Sequence, residues 1–127
     1  AVTQDGLVAV HDGVRPLVSK ELIARCFESA EAHGSGIPVV PISSSVREVQ
    51  GDSSRALDRS ALRSVQTPQC FNTGLLRKAF SQPYDPAFTD EASTVERLGV
   101  KVNLVEGEEH NIKVTTPLDM QLAEFLL

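Results

Sequence analysis

Apolar and polar positions along this chain change period from block to block. Residues 7–11, Leu-Val-Ala-Val-His, form a continuous apolar run of strand length and predict a buried strand. Beyond Ser19 the period becomes helical. Leu22, Ile23, Cys26, Phe27 and Ala30 share one face, Ser19 is placed to cap it, and Gly34-Ser35-Gly36 stops the helix at about His33. Residues 37–42 predict a second strand. Pro38 and Pro41 within it predict an edge position or irregular pairing, because proline gives the ladder no donor.

Residues 43–62 carry few apolar side chains. Short strands at 46–49 and 55–58 are expected around the turn Gln50-Gly51-Asp52-Ser53. A two-stranded hairpin without an apolar face is marginal alone in water, so this arm needs a surface to pack on. A second copy of the chain is the economical candidate. Further on, residues 72–80 predict a short helix carrying Leu75, Leu76, Ala79 and Phe80, followed by a loop over 82–88. Thr89 is expected to cap a helix reaching Leu98, with Ala92, Val95 and Leu98 inward and Asp90 and Glu91 at its positive end. Strands are expected at 101–105 and 111–114. The final amphipathic helix, 117–127, is expected to turn Leu118, Leu122, Phe125 and Leu126 inward. Strands alternating with helices predict an α/β layer fold.

Composition narrows the function classes. A chain of 127 residues is one domain at most. The net charge of -5 disfavours a nucleic-acid backbone as partner. No apolar run approaches membrane-spanning length, and the start carries no signal-peptide pattern. Cys26 and Cys70 are too few for a disulfide framework, which suits a reducing cytoplasm. His11, His33 and His110 show no metal-ligand spacing. Arg47, Arg55, Arg59 and Arg63 crowd one segment and point to an anionic small molecule.

Two segments carry candidate chemistry. In Asn111-Ile112-Lys113-Val114-Thr115-Thr116-Pro117-Leu118-Asp119, a lysine precedes a helix with Thr116 as N-cap, Pro117 first in the helix and Asp119 as reciprocal capping partner. A cation held beside a helix N-terminus suits a phosphate; a lone strand lysine would only snorkel to solvent. Asp12-Gly13-Val14-Arg15-Pro16 follows the first strand, at the carboxyl end where open α/β sheets bind ligands. Spacing alone leaves Asp12 as a turn former and Arg15 as a surface residue equally open.

Taken together, His11-Asp12-Gly13-Val14-Arg15-Pro16, Val65-Gln66-Thr67-Pro68-Gln69, Phe88-Thr89-Asp90-Glu91-Ala92-Ser93 and the Asn111 to Pro117 block resemble the 2-C-methyl-D-erythritol 4-phosphate cytidylyltransferases. The resemblance implies the C-terminal part of a Rossmann-like nucleotidyltransferase three-layer fold. The chain would then be the C-terminal portion of one cytidylyltransferase domain, with a dimerisation arm at about 43–62. It implies transfer of CMP from CTP to a methylerythritol phosphate, with magnesium carried by the nucleotide phosphates and a homodimer joined through the arm. Lys113 would stabilise the reacting phosphates, and Asp12 would hold substrate hydroxyls, with magnesium binding by Asp12 possible. Arg59 would bind the substrate phosphate across the dimer. Arg15 and Thr67 would add contacts from the partner chain, Thr89 would contact the sugar phosphate, and Thr115 is a weaker candidate through its backbone more than its side chain. The family's Gly-rich phosphate loop has no counterpart here, so this chain alone is expected to be inactive. At the base of the arm the family's Asp-Thr is replaced by Ser44-Ser45, with Ser45 in the threonine's place. Ribitol 5-phosphate cytidylyltransferases carry similar blocks, and a non-catalytic dimerisation module is the reading from another class.

Overall fold

The computed structural model describes residues 6–127. Seven strands and four helices follow in the order β1 (Leu7–Val10), α1 (Lys20–His33), β2 (Ser35–Pro41), β3 (Arg47–Gln50), β4 (Ser53–Ala56), β5 (Arg63–Val65), β6 (Gln69–Asn72), α2 (Thr73–Phe80), α3 (Glu91–Glu96), β7 (Leu104–Glu106) and α4 (Pro117–Leu126). The main sheet runs β1-β6-β2-β5, with β7 on the other side of β2. β6 is antiparallel to β1 and β2, whereas β7 is parallel to β2.

Side-chain alternation along the strands builds two cores. Cys70 of β6 packs with Leu22, Cys26 and Ala30 of α1 on one face of the sheet. Phe71, one residue on, packs with Ile37, Leu76, Ala79, Ala92 and Val95 beneath α2 and α3 on the other. This is a three-layer α/β arrangement. Within the first core Cys26 and Cys70 lie together, and their contact and burial push the Cys70 thiol up.

Helix α1 ends as its glycines dictate. Gly34 takes the left-handed conformation at φ 95° and its N–H returns to Ala30 O. Ser35 and Gly36 then enter β2 directly instead of forming a loop. At Gly36 an added Cβ would stand 2.2 Å from the Cys26 carbonyl oxygen, so glycine lets helix and strand touch.

Several expectations are corrected. β1 is an edge strand with Leu7 38% exposed, since only its Val8 and Val10 side meets the core. β2, in contrast, is central despite its prolines. Pro38 is tolerated because it lies opposite the Gln66 segment between β5 and β6. There its carbonyl accepts from Gln66 N at 2.8 Å and no ladder donor is required. β5 and β6 were not anticipated. β7 begins at Leu104 and not at 101, and residues 111–114 form no strand. In α4 only Ala123 is buried; Leu118 (72% exposed), Leu122, Phe125 (84%) and Leu126 face outward. The hairpin β3–β4 turns at Gly51 and forms a separate two-stranded sheet, as an arm should. No helix among the described residues is long and apolar enough to cross a membrane.

Candidate functional site

β1 delivers the chain to a turn in which Arg15 N bonds Asp12 O at 3.1 Å. The Arg15 side chain is only 12% exposed and works as a bolt. Its Nε donates to Asp12 Oδ2 at 3.2 Å, its Nη1 to Asn111 O at 2.8 Å and its Nη2 to Val65 O at 3.4 Å. One guanidinium thus joins the loop after β1 to the segment before α4 and to the end of β5. A planar fork of fixed donors suits that task better than a lysine would.

The same two segments meet again below Arg15. Val114 N donates to Val14 O at 2.7 Å. Asn111, wholly buried, donates from Nδ2 to Thr67 O at 2.9 Å and to Gln66 Oε1 at 3.3 Å. Its own Oδ1 is buried without a partner. Gln66 in turn clasps Glu108, donating to its carbonyl at 2.8 Å and accepting from its amide at 3.2 Å. The Ser19 hydroxyl donates to the Glu108 carboxylate while capping α1.

Lys113 lies in this braced stretch, one residue before the Val114 anchor. It is exposed and, among the described residues, has no hydrogen-bond or ion-pair partner. Asp12 is 36% exposed, with Oδ2 on Arg15 and Oδ1 left open. A rigid backbone therefore presents one free carboxylate oxygen and one free ammonium group. Buried anchors on both sides limit how far either can drift.

The remaining sequence candidates fall elsewhere or take other work. Thr67 is buried, and its hydroxyl accepts from Asp12 N at 2.9 Å in the same chain. Arg15 likewise bonds Asp12 of its own chain. Thr115 donates from its amide and hydroxyl to Asp119 Oδ2 at 3.0 and 3.2 Å, and Thr116 caps α4 reciprocally with Asp119. Those donors, the Thr115 amide first, hold the Asp119 carboxyl below the usual carboxylate range. The cap of α3 is Asp90, not Thr89. Asp90 Oδ1 takes Ser93 N and its Oδ2 takes Gln69 Nε2 at 3.0 Å, which leaves Thr89 exposed beside it. Thr89 lines a cavity of about 330 Å³ with Phe80, Tyr84 and Phe88. Arg59 sits in a short 3-10 turn of the arm beyond the β3–β4 hairpin and donates to Ser43 O, while Asp58 pairs with Ser60. Ser45 is exposed at the arm's base.

Among the described residues no three His, Cys, Asp or Glu side chains gather into a ligand set for a metal. One oxygen of Asp12 is on a guanidinium, and the other is open. A groove of about 760 Å³ between α1 and β7 is lined by Arg25, Glu28, His33 and Lys101 and by none of the candidate site residues. Sequence reasoning gave neither His11 nor Asn111 a ligand contact. The structure places both in the hydrogen-bond network behind Asp12, and only the adjacency of His11 to Asp12 in the motif hinted at that.

All of residues 1–127 match the family model for 2-C-methyl-D-erythritol 4-phosphate cytidylyltransferase, IspD. The chain is 48% identical over 126 residues to the protein of that name from Bacteroides thetaiotaomicron, covering 99% of this chain and 58% of the relative. It is 51% identical over 128 residues to the one from Porphyromonas gingivalis, covering 99% and 58%. The crystal structure of the Thermus thermophilus protein of the same name superposes with a TM-score of 0.84 at 42% identity, covering 94% of this chain and 61% of the other. The chain thus spans a little over half the length of the curated relatives it matches.

Proposed function

The chain belongs to the 2-C-methyl-D-erythritol 4-phosphate cytidylyltransferase family, and we propose that the protein carrying it transfers CMP from CTP to 2-C-methyl-D-erythritol 4-phosphate. In that reaction a phosphate oxygen of the polyol phosphate attacks the α-phosphorus of CTP. The bond to the β-phosphate oxygen breaks and pyrophosphate leaves. The nucleophile belongs to the substrate, so the protein needs no serine or cysteine nucleophile. Its task is to bring two polyanions together and offset the charge in the transition state.

The observation that carries this reading is the pair left free on a braced frame: Lys113 without a partner and Asp12 with one open oxygen. Lys113 faces the reacting phosphates, where a fixed cation stabilises charge as it develops. Asp12 accepts from hydroxyls of the polyol. Arg59 and Ser45, carried by the arm, serve the substrate phosphate of the neighbouring subunit in a homodimer. Thr89 and Thr115 contribute hydroxyls at the margins. Magnesium arrives with the nucleotide triphosphate, and the open oxygen of Asp12 is the place on this chain that could meet it. The free thiols Cys26 and Cys70 suit a cytoplasmic enzyme.

The relatives are named for methylerythritol phosphate, which favours that acceptor over ribitol 5-phosphate and favours an enzyme over a dimerisation module. The test is pyrophosphate release from CTP by the full-length gene product, with the two polyol phosphates offered separately. Release with methylerythritol 4-phosphate alone is expected. Release with ribitol 5-phosphate alone, or with neither, overturns the proposal.

A further inference from the structure

His11 is the residue of the Asp12 loop whose chemistry the proposed reaction leaves unused. Its ring bridges two polar groups. Nε2 lies 2.9 Å from Arg15 O, and Nδ1 lies 2.9 Å from Thr67 Oγ1. A backbone carbonyl can only accept, so the proton of the neutral ring resides on Nε2. Nδ1 is then an acceptor, and the Thr67 hydroxyl must donate to it. With its proton directed at His11, Thr67 Oγ1 offers lone pairs, and one of them takes Asp12 N–H at 2.9 Å. Donors and acceptors alternate along the line Asp12 N–H, Thr67 O–H, His11 Nδ1 and Nε2–H, Arg15 O. The line closes back on the loop it started from.

We propose that His11 is a positioning residue: its Nε2–H tautomer sets the donor direction of Thr67 and thereby fixes the Asp12–Arg15 loop that receives the polyol phosphate. This rests on the function proposed above. His11 acts through Thr67 and the loop backbone, not by contact with the reacting atoms. Thr67 is 7% exposed whereas His11 is exposed, so the bridge runs from the surface of the loop to a buried hydroxyl. Arg15 closes the same loop from the other side through Asp12 Oδ2, and the two bonds hold the carboxylate's backbone and its side chain independently.

Substitution separates the two halves of the bridge. In His11→Asn the amide oxygen overlays Nδ1 and keeps an acceptor for Thr67. His11→Ala removes both contacts. In the full-length gene product His11→Ala is expected to raise KM for methylerythritol 4-phosphate about tenfold, the worth of one or two such bonds. KM for CTP should stay within about twofold, and His11→Asn should recover most of the loss. An unchanged polyol-phosphate KM in His11→Ala overturns the proposal, as does an equal rise in both KM values, which marks a general structural defect. Imidazole nitrogen NMR tests the tautomer without any turnover: the wild-type neutral ring should carry its proton on Nε2, and Thr67→Val should shift the Nδ1 resonance. A proton on Nδ1 refutes the lock. Absent pyrophosphate release from the wild type refutes the functional reading instead, and the NMR result then judges the hydrogen-bond line by itself.

Discussion

Replacing Asn111 by aspartate changes one nitrogen for one oxygen at a site with no solvent access. The amide Nδ2 faces two acceptors, Thr67 O at 2.9 Å and Gln66 Oε1 at 3.3 Å. A carboxylate there would set negative oxygen against both, with no donor in compensation. The chain's cheapest response is to keep the new carboxyl protonated, because its O–H can still donate to Thr67 O. Burial and these acceptors together raise the folded-state pKa above its unfolded value. For a raised acid the sign is clear: Asn111→Asp approaches wild-type stability below the unfolded pKa and loses stability as pH rises towards the folded one. Holding a proton at about pH 7, roughly three units above the ordinary Asp pKa of about 3.9, costs at most about 4 kcal/mol. That is a large share of the roughly 5–15 kcal/mol available to a domain. Asn111→Ala loses one good bond and strands the Thr67 carbonyl, for about 1–3 kcal/mol at any pH. Urea denaturation of both variants against wild type at about pH 4.5 and pH 7 separates the cases, through a gap for Asn111→Asp that widens with pH. A gap of equal size at the two pH values would refute the idea that this amide is held by two acceptors.

Other substitutions probe other joints. Gly36→Ala places a Cβ 2.2 Å from the Cys26 carbonyl, backbone against backbone, and should cost about 1–3 kcal/mol. Gly13→Ala meets nothing within 4 Å and should change urea stability by less than about 0.5 kcal/mol, so equal effects from the two glycines would contradict the close-approach argument. The Asp119 carboxyl, held low by the Thr115 amide first and then by Thr116, contributes stability above the unfolded pKa that is lost as pH falls through the folded one. Its NMR titration midpoint should lie below the usual carboxylate range and rise in Thr116→Ala; a midpoint that ignores Thr116 would remove the cap from the account. In the full-length gene product Lys113→Ala should lower kcat about a hundredfold or more, near 3 kcal/mol of transition-state stabilisation, and a change under about threefold would assign the charge work elsewhere.

The alternation of apolar blocks made most of the fold legible. α1, with its Ser19 cap and Gly34 stop, and the arm's turn at Gly51 follow from local rules that need no knowledge of the rest. Strand neighbours do not follow from such rules. Pro38 argued for an edge, yet a proline is harmless in a central strand where the facing segment leaves a gap in the ladder, and Gln66 to Pro68 is such a gap. β6 was overlooked because Gln69 and Cys70 look like loop residues. Gln69 is buried because both ends of its amide are satisfied by α3, through Asp90 and the Ala92 amide. In α4 the apolar stripe was real but its direction was not encoded. Periodicity shows that a helix has an apolar face, while only tertiary partners decide what covers it.

The site divides along the same line. Asp12 and Lys113 stood out as candidates because strand ends and helix starts are where ligand groups collect. What holds them was hidden, since Arg15, Thr67 and Asn111 act across sequence separations of 44 to 96 residues. Arg15 shows the physical reason most plainly. The resemblance implied a substrate contact for it, and in the structure each of its three nitrogens also donates once to the protein, with the side chain 12% exposed. A guanidinium so occupied is worth more as geometry than as charge. It neutralises one oxygen of Asp12, keeps the Lys113 segment against the β1 loop, and leaves the other carboxylate oxygen and the lysine as the polar ends facing outward. Its bonds to Asp12, Asn111 and Val65 use three of its five N–H groups, so Arg15 places Asp12 while one N–H on each terminal nitrogen stays available to a ligand.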